Sequence, residues 1–255
     1  MPKTRKKETR QDSWFGYRKV AGKEKTRLVG EVFRSVAPKY DLMNDLMSGG
    51  VHRLWKRHFV SAIKPRPGER LLDVAGGTGD IAFLLHKACP TASITLCDIN
   101  ESMLRVGRDR AIDRGFVKGI RFAVCNAEEL PFKSKSMEAY TISFGLRNVT
   151  DIDAALREAK RVLKPGGRFF CLEFSRVILP PLRPLYDLYS FKVLPFLGQK
   201  VAGDAESYQY LAESIRQFPA QDELAERLRA AGFGQVRYTN LSAGIAAIHQ
   251  AVREK

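Results

Sequence analysis

The stretch from Leu71 to Asp80, LLDVAGGTGD, runs from apolar residues into a carboxylate, Asp73, and then sets Gly76, Gly77 and Gly79 within four positions. Without a Cβ, such a turn can approach a ligand to contact distance. A second carboxylate, Asp98, closes the apolar run SITLCD about twenty residues further on, where it is placed to accept hydrogen bonds from a ribose diol. Loop and acid together point to a nucleoside cofactor; a plain glycine turn with an acid cap is the bland alternative. A dinucleotide loop needs Gly-x-Gly-x-x-Gly, so that a pyrophosphate sits on a helix N-terminus, and Ala82 holds the last of those positions here.

The elements that must position this pair are legible as an alternation. RLLDV (70–74), SITLCD (93–98), IRFAVC (120–125), EAYTISF (138–144) and RFFCLEF (168–174) read as strands. Helical spacing lies between them near 81–89, 101–114 and 151–163. Strand and helix in turn predict a doubly wound, mostly parallel sheet covered on both faces, whose ligands bind at the carboxyl ends of the strands. A helix near 220–231, a turn AGFGQV into a strand and a last strand near 244–252 fit an antiparallel closing pair. Residues 15–68 read as a helical cap ending at KPRPGE, and 176–218 as a helical insertion in which four prolines argue against one continuous helix.

With 255 residues, 44% of them hydrophobic, the chain can bury a full core. Its net charge of +15 suggests an anionic partner, nucleic acid or a phospholipid surface. The surplus is uneven: the first thirty residues hold ten basic side chains against three acids. Residues 1–14 therefore read as a mobile basic arm, either a solubilising tail or a contact for that partner. The four cysteines are scattered, without a Cys-x-x-Cys pair or clustered histidines, so neither a metal site nor a disulfide framework is indicated. No run of 18 apolar residues, no apolar signal core and an arm interrupted by Glu8 and Asp12 predict a cytoplasmic, bacterial protein.

Gly-Gly-Thr-Gly-Asp resembles the S-adenosylmethionine (SAM) loop of class I methyltransferases, whose cofactor carries an amino-acid end and a sulfonium in place of phosphates. CNAEELPF (125–132), ISFGLRNV (142–149) and RVLKPGGR (161–168) are similar to that family's later segments. A narrower resemblance lies in Tyr40-Asp41-x-Met43-Asn44, Ser48, His52-x-x-Trp55 and RVLKPGGRFFCLEFS, which resemble the two signatures of the UbiE/COQ5 quinone C-methyltransferases. FGYRKV, FGLRNVTD and YDLYSFKVLP extend it over nearly the whole core. The resemblance implies a Rossmann-like seven-stranded fold. It also implies C-methylation of a polyprenyl benzoquinol of the 2-methoxy-6-polyprenyl-1,4-benzoquinol type, and in many members of demethylmenaquinol.

Carried over residue by residue, the resemblance sets Thr78, Asp98, Asn126, Ala127 and Ser143 at the SAM, beside Gly76, Gly77 and Gly79. Arg147, Asn148, Asp80 and Tyr40 fall on the substrate side. There Arg147 would stabilise a phenolate and Asn148 orient it; the competing reading of this pair is a helix-start cap with a surface ion pair. Tyr40 to Ser48 is expected to be a lid, with His52 and Trp55 fixing it to the core and Met43 and Met47 forming an apolar wall or ordinary core. Segment 176–200, with Arg176, Arg183 and Lys192 around Leu, Tyr and Phe, reads either as an interfacial cap on a membrane or as a packed insertion used in a homodimer. Two rivals remain: an RNA methyltransferase, which would gather basic and aromatic residues at the mouth of the site, and a SAM-binding scaffold in a quinone-biosynthesis complex. The leading reading involves no nucleic acid.

Overall fold

The computed structural model describes residues 12–36, 44–46, 48–116 and 118–255. Most of the expected arm, and Tyr40, Met43 and Met47 of the expected lid, lie outside these residues. The described chain opens with an antiparallel hairpin, β1 (Asp12–Phe15) and β2 (Arg18–Ala21), where the sequence predicts the end of an arm and a helix. The cause of the difference is local. Aromatic and β-branched residues flank Gly16-Tyr17, and Gly16 takes a φ of +56° that closes a two-residue turn. Phe15 then stacks on Tyr210 with ring centroids 4.1 Å apart. Helix α1 (Gly22–Val36) follows, and α2 (His52–Ile63) ends at Lys64 in the left-handed region, just ahead of Pro65.

The main sheet is built from β3 (Arg70–Val74), β4 (Ser93–Asp98), β5 (Ile120–Val124), β6 (Met137–Ser143), β7 (Leu163–Phe174), β8 (Phe233–Leu241) and β9 (Ala246–Arg253). Its order is β5-β4-β3-β6-β7-β9-β8. The first five strands run parallel, and β9 pairs antiparallel with both β7 and β8. This is the doubly wound class expected from the alternation. Within β7 the Lys-Pro-Gly-Gly turn loops out of the pairing with β6, so that Met137 pairs with Leu163 but Ala139 with Arg168.

Helices cover both faces: α3 (Asp80–Ala88), α4 (Glu101–Asp113), α5 (Ile152–Val162), α6 (Leu182–Leu188), α7 (Leu194–Leu197), α8 (Ala205–Gln217) and α9 (Gln221–Ala230). Asn100 caps α4 by accepting from the Ser102 and Met103 amides, and Asp151 caps α5 through Ala154. Alternation along the strands divides the core in two. Leu71, Ala139 and Phe170 pack on one face, while Leu72, Tyr140 and Phe169 pack on the other. Each buried Leu or Phe among them contributes about 1.5–3 kcal/mol.

The insertion is helical as expected, with breaks in other places than its prolines mark. Pro180 and Pro181 precede the first turn and Gly203 in the left-handed region ends the run before α8, so the segment is not one continuous helix, but Pro184 and Pro195 do not interrupt it: π-turns at Tyr189–Val193 and Gly198–Ala202 flank α7 and keep helical backbone from Leu182 to Ala202. A widened turn ahead of Pro195 accommodates a residue with no N–H to donate. No helix among the described residues is long and apolar enough to cross a membrane.

Candidate active site

The sheet reverses direction of winding between β3 and β6, and a cleft of about 780 Å³ opens there at the carboxyl ends of β3, β4 and β6. Gly77, Asp98, Asn126, Ala127 and Asn148 all line it, so the structure gathers five of the predicted residues. Asp98 is fixed from two sides: the Gly77 amide donates to one carboxylate oxygen at 2.9 Å and the Asn100 amide to the other at 2.8 Å. Burial pushes its carboxyl above the ordinary value, and these amides oppose the shift. Each oxygen keeps a lone pair for a further donor. Gly77 sits at φ +54°, which carries its N–H onto Asp98.

The other glycines serve the fold. A Cβ on Gly79 would meet the Phe83 ring at 2.6 Å, and one on Gly76 would meet Leu96 at 2.8 Å and Asp73 at 2.9 Å. They are small for packing under the loop, which corrects the expectation that all three face a ligand. Beneath them the Asp73 carboxyl is pushed by burial up to about 7, opposed by a 2.8 Å hydrogen bond from the Thr141 hydroxyl. Thr78 also turns away from the cleft: it is buried and its hydroxyl accepts from Arg110 at 2.7 Å. Ser143 keeps a buried hydroxyl oxygen without a partner, next to Phe144 and Gly145, which line the cleft.

On the substrate side the structure separates three predicted neighbours. Asn148 faces the cleft, and the Tyr210 hydroxyl donates to its Oδ1 at 3.0 Å, so the amide N–H groups are left for the cleft. Arg147 does not project into the cleft. Its side chain is 3% exposed, its Nη1 donates to Glu173 at 2.7 Å and to the Phe144 carbonyl at 2.7 Å, and its guanidinium lies over the Phe174 ring. Burial pushes the Glu173 carboxyl up, with Arg147 pulling against it. Asp80 is also outside the cleft, held by Lys56 at 2.8 Å and Arg110 at 3.1 Å. Burial raises its carboxyl, but these two cations, with Arg114 beyond them, overcome it and leave it below the ordinary value.

Several cleft residues escaped the sequence reading. The second wall comes from α1, through Thr26, Val29, Gly30 and Phe33. Lys25 fixes that helix by donating to the Val149 carbonyl at 2.6 Å, and burial lowers its ammonium to about 8. Glu128, also at the cleft, accepts from the Thr150 amide at 2.6 Å and so ties the loop after β5 to the loop after β6. The amphipathic spacing of α1 was readable, but nothing in it said which loops it would cover. His52 and Trp55 anchor rather than line: His52 meets Asp45 at 2.9 Å, while Trp55 donates to Ser242 at 3.0 Å and packs edge-on to Phe174.

A ubiquinone/menaquinone biosynthesis C-methyltransferase of Xanthomonas campestris is 58% identical over 236 residues, 92% of this chain and 93% of that protein. One from Acidiphilium cryptum is 57% identical over 239 residues, covering 94% and 96%. Among solved structures, a SAM-dependent methyltransferase from Thermotoga maritima matches with a TM-score of 0.61 over 89% of this chain and all of that one, at 19% identity, which shows the shared fold. The sequence profile of the ubiE/COQ5 methyltransferase family matches residues 19–253, and the chain belongs to that family.

Proposed function

We propose that this protein transfers the methyl group of SAM to a ring carbon of a polyprenyl benzoquinol, and of demethylmenaquinol. The observation that carries the reading is Asp98, fixed at the end of β4 by the glycine loop with its carboxylate edge in the cleft. The residues present fit the cofactor. Asp98 suits a ribose diol, Asn126 and the Ala127 backbone an adenine edge, and Ile99 and Met103 its apolar faces. Thr78 and Ser143 would act there through backbone and packing, because their hydroxyls do not line the cleft.

SAM, when bound, supplies an electrophilic methyl group. A quinol oxygen that gives up its proton loads electron density onto the ortho carbon that takes this methyl, and that carbon then loses its own proton to restore the ring. Asn148 would hold the quinol oxygen by donating its amide N–H, with Tyr210 setting the amide's orientation. Arg147, its charge already paired with Glu173, would hold the turn Leu146–Asn148 in place from behind the loop. Much of the acceleration would come from holding carbon and methyl in line in a dry cleft. Tyr40 is proposed for the lid side of the same site.

A tailed quinol resides in a bilayer, and we place the protein against that surface. Leu179, Leu182, Leu185, Leu188, Val193 and Phe196 are large, apolar and exposed on the insertion, with Lys192 and Lys200 among them. Such a face suits an anionic membrane surface. Asn148→Ala and Asp98→Ala separate the roles. Asn148→Ala should lower kcat at least tenfold with SAM affinity unchanged, and Asp98→Ala should weaken SAM binding at least tenfold, each about the effect of one charge-assisted or orienting hydrogen bond. Equal loss of both parameters in both variants would sink the assignment.

A further inference from the structure

Asp80, excluded from the cleft, lies in a second concavity that the methyl-transfer reading does not use. Three helices form it: α2 contributes Arg53, Lys56 and Arg57, α3 contributes Asp80 and Lys87, and α4 contributes Arg110 and Arg114. The open space is about 890 Å³. Six cationic side chains therefore meet one lining carboxylate, although they come from helices far apart in sequence.

The charge is poorly compensated from within. Asp80 is taken by Lys56 and Arg110, and Asp45, outside the groove, engages Arg53 at 2.7 Å. Among the described residues, Arg57, Lys87 and Arg114 have no carboxylate within ion-pair distance. Two of these are held in place by apolar surface: Arg114 lies over the Phe83 ring at 5.2 Å and Lys87 over Phe116 at 5.8 Å. Their polar ends stay directed by those rings instead of sweeping freely through solvent. Lys56, with a side chain 7% exposed, is a desolvated cation in the floor. Gathering like charges in a concave wall raises the local concentration of anions, and guanidinium forks match the oxygens of a phosphate.

We propose that this groove is a binding site for a phosphate group, distinct from the methyl-transfer cleft, with Lys56 and Arg110 as its floor and Arg57, Lys87 and Arg114 as its clamps. Two sources would supply that group, a free polyanion or the headgroup of an anionic phospholipid, and the same cations would hold either. The floor also touches the cofactor loop, since Arg110 donates to Thr78 and Asp80 at the two sides of Gly79.

The test uses the full chain and the double variant Arg57→Gln/Arg114→Gln, whose exposed side chains leave the cleft untouched. Calorimetric titration with inorganic pyrophosphate is run beside co-sedimentation with phosphatidylcholine vesicles, with and without phosphatidylglycerol. SAM binding and thermal melting confirm that the variant is folded. Pyrophosphate binding that weakens at least tenfold in the double variant supports the site, about the effect of losing one charge-assisted contact. If vesicle binding that depends on phosphatidylglycerol also falls in the variant and is competed by pyrophosphate, the headgroup is the source; if it does not fall, the free anion is. Absence of pyrophosphate binding, or equal binding by a folded double variant, overturns the proposal. So does binding confined to a structured RNA.

Discussion

Replacing Glu173 with Gln should destabilise the protein strongly and displace the loop that carries Asn148. Arg147 and Glu173 have side chains 3% and 1% exposed, and their closest atoms are 2.7 Å apart. At that distance the pair attraction is about 6 kcal/mol for an effective dielectric of ~20. Much of it offsets the cost of burying two ions, so the intact pair adds little net stability. Removing one charge is another matter, because the guanidinium stays buried with its Nε already without a partner. The expected loss is ~3–5 kcal/mol, which for a chain of this size lowers Tm by roughly 10 °C. Gln keeps an acceptor for the Phe174 amide, now 2.9 Å from the carboxylate, so lost hydrogen bonds are a minor part. Calorimetric melting of Glu173→Gln, Arg147→Met and the double variant measures the effect. The double variant should be more stable than Glu173→Gln alone, because the stranded charge is gone. A single-variant loss below about 1 kcal/mol, or a double variant no better than Glu173→Gln, would refute the reasoning.

Other consequences are open to direct measurement. Tyr210→Phe removes the hydrogen bond that orients Asn148; it should cost about 1 kcal/mol in stability and lower kcat severalfold, with SAM affinity unchanged in titration. Gly145→Ala brings a Cβ to 2.4 Å from the Ala75 Cβ, so it should cost ~1–3 kcal/mol and weaken SAM binding. Adding Ala75→Gly should restore both, as Ala75 sits at a φ of +51° that glycine adopts freely. Lys25 has a folded value of about 8 against 10.5 ordinarily. Between those values the unfolded chain binds more protons, so stability should rise with pH there by up to ~3 kcal/mol. Below about 8 both states are protonated and the gain is absent. Urea unfolding at pH 7.5 to 9.5 should show this rise in the wild type and lose it in Lys25→Met.

The sheet was legible because β3, β4 and β6 are short, largely apolar and β-branched runs followed by glycine or ended by an acid, in alternation with helical spacing. Asp98 was legible for the same reason: strand length and loop spacing fix where it falls. Asn126, Ala127 and Asn148 reach the cleft from loops named by family resemblance rather than by periodicity. What stayed hidden depends on side-chain direction and long-range packing. Arg147 and Asn148 are adjacent in sequence, yet the tight turn Leu146–Asn148 sends one toward Glu173 and the other toward the cleft. Asp80 follows the glycine loop directly, but it points to cations 24 and 30 residues away. The hairpin at Gly16 replaced an expected helix, and the π-turn before Pro195 carried a helix past an expected break, because single residues there act through backbone geometry that a periodicity reading averages out.

Methyl transfer from radiolabelled SAM to a short-tailed demethylated benzoquinol, followed with and without reductant beside a structured RNA acceptor, decides what the cleft does. Label should enter the quinol carbon only under reducing conditions and be lost in Asn148→Ala. Label in the RNA, or SAM binding with no transfer to either acceptor, would contradict quinol methylation.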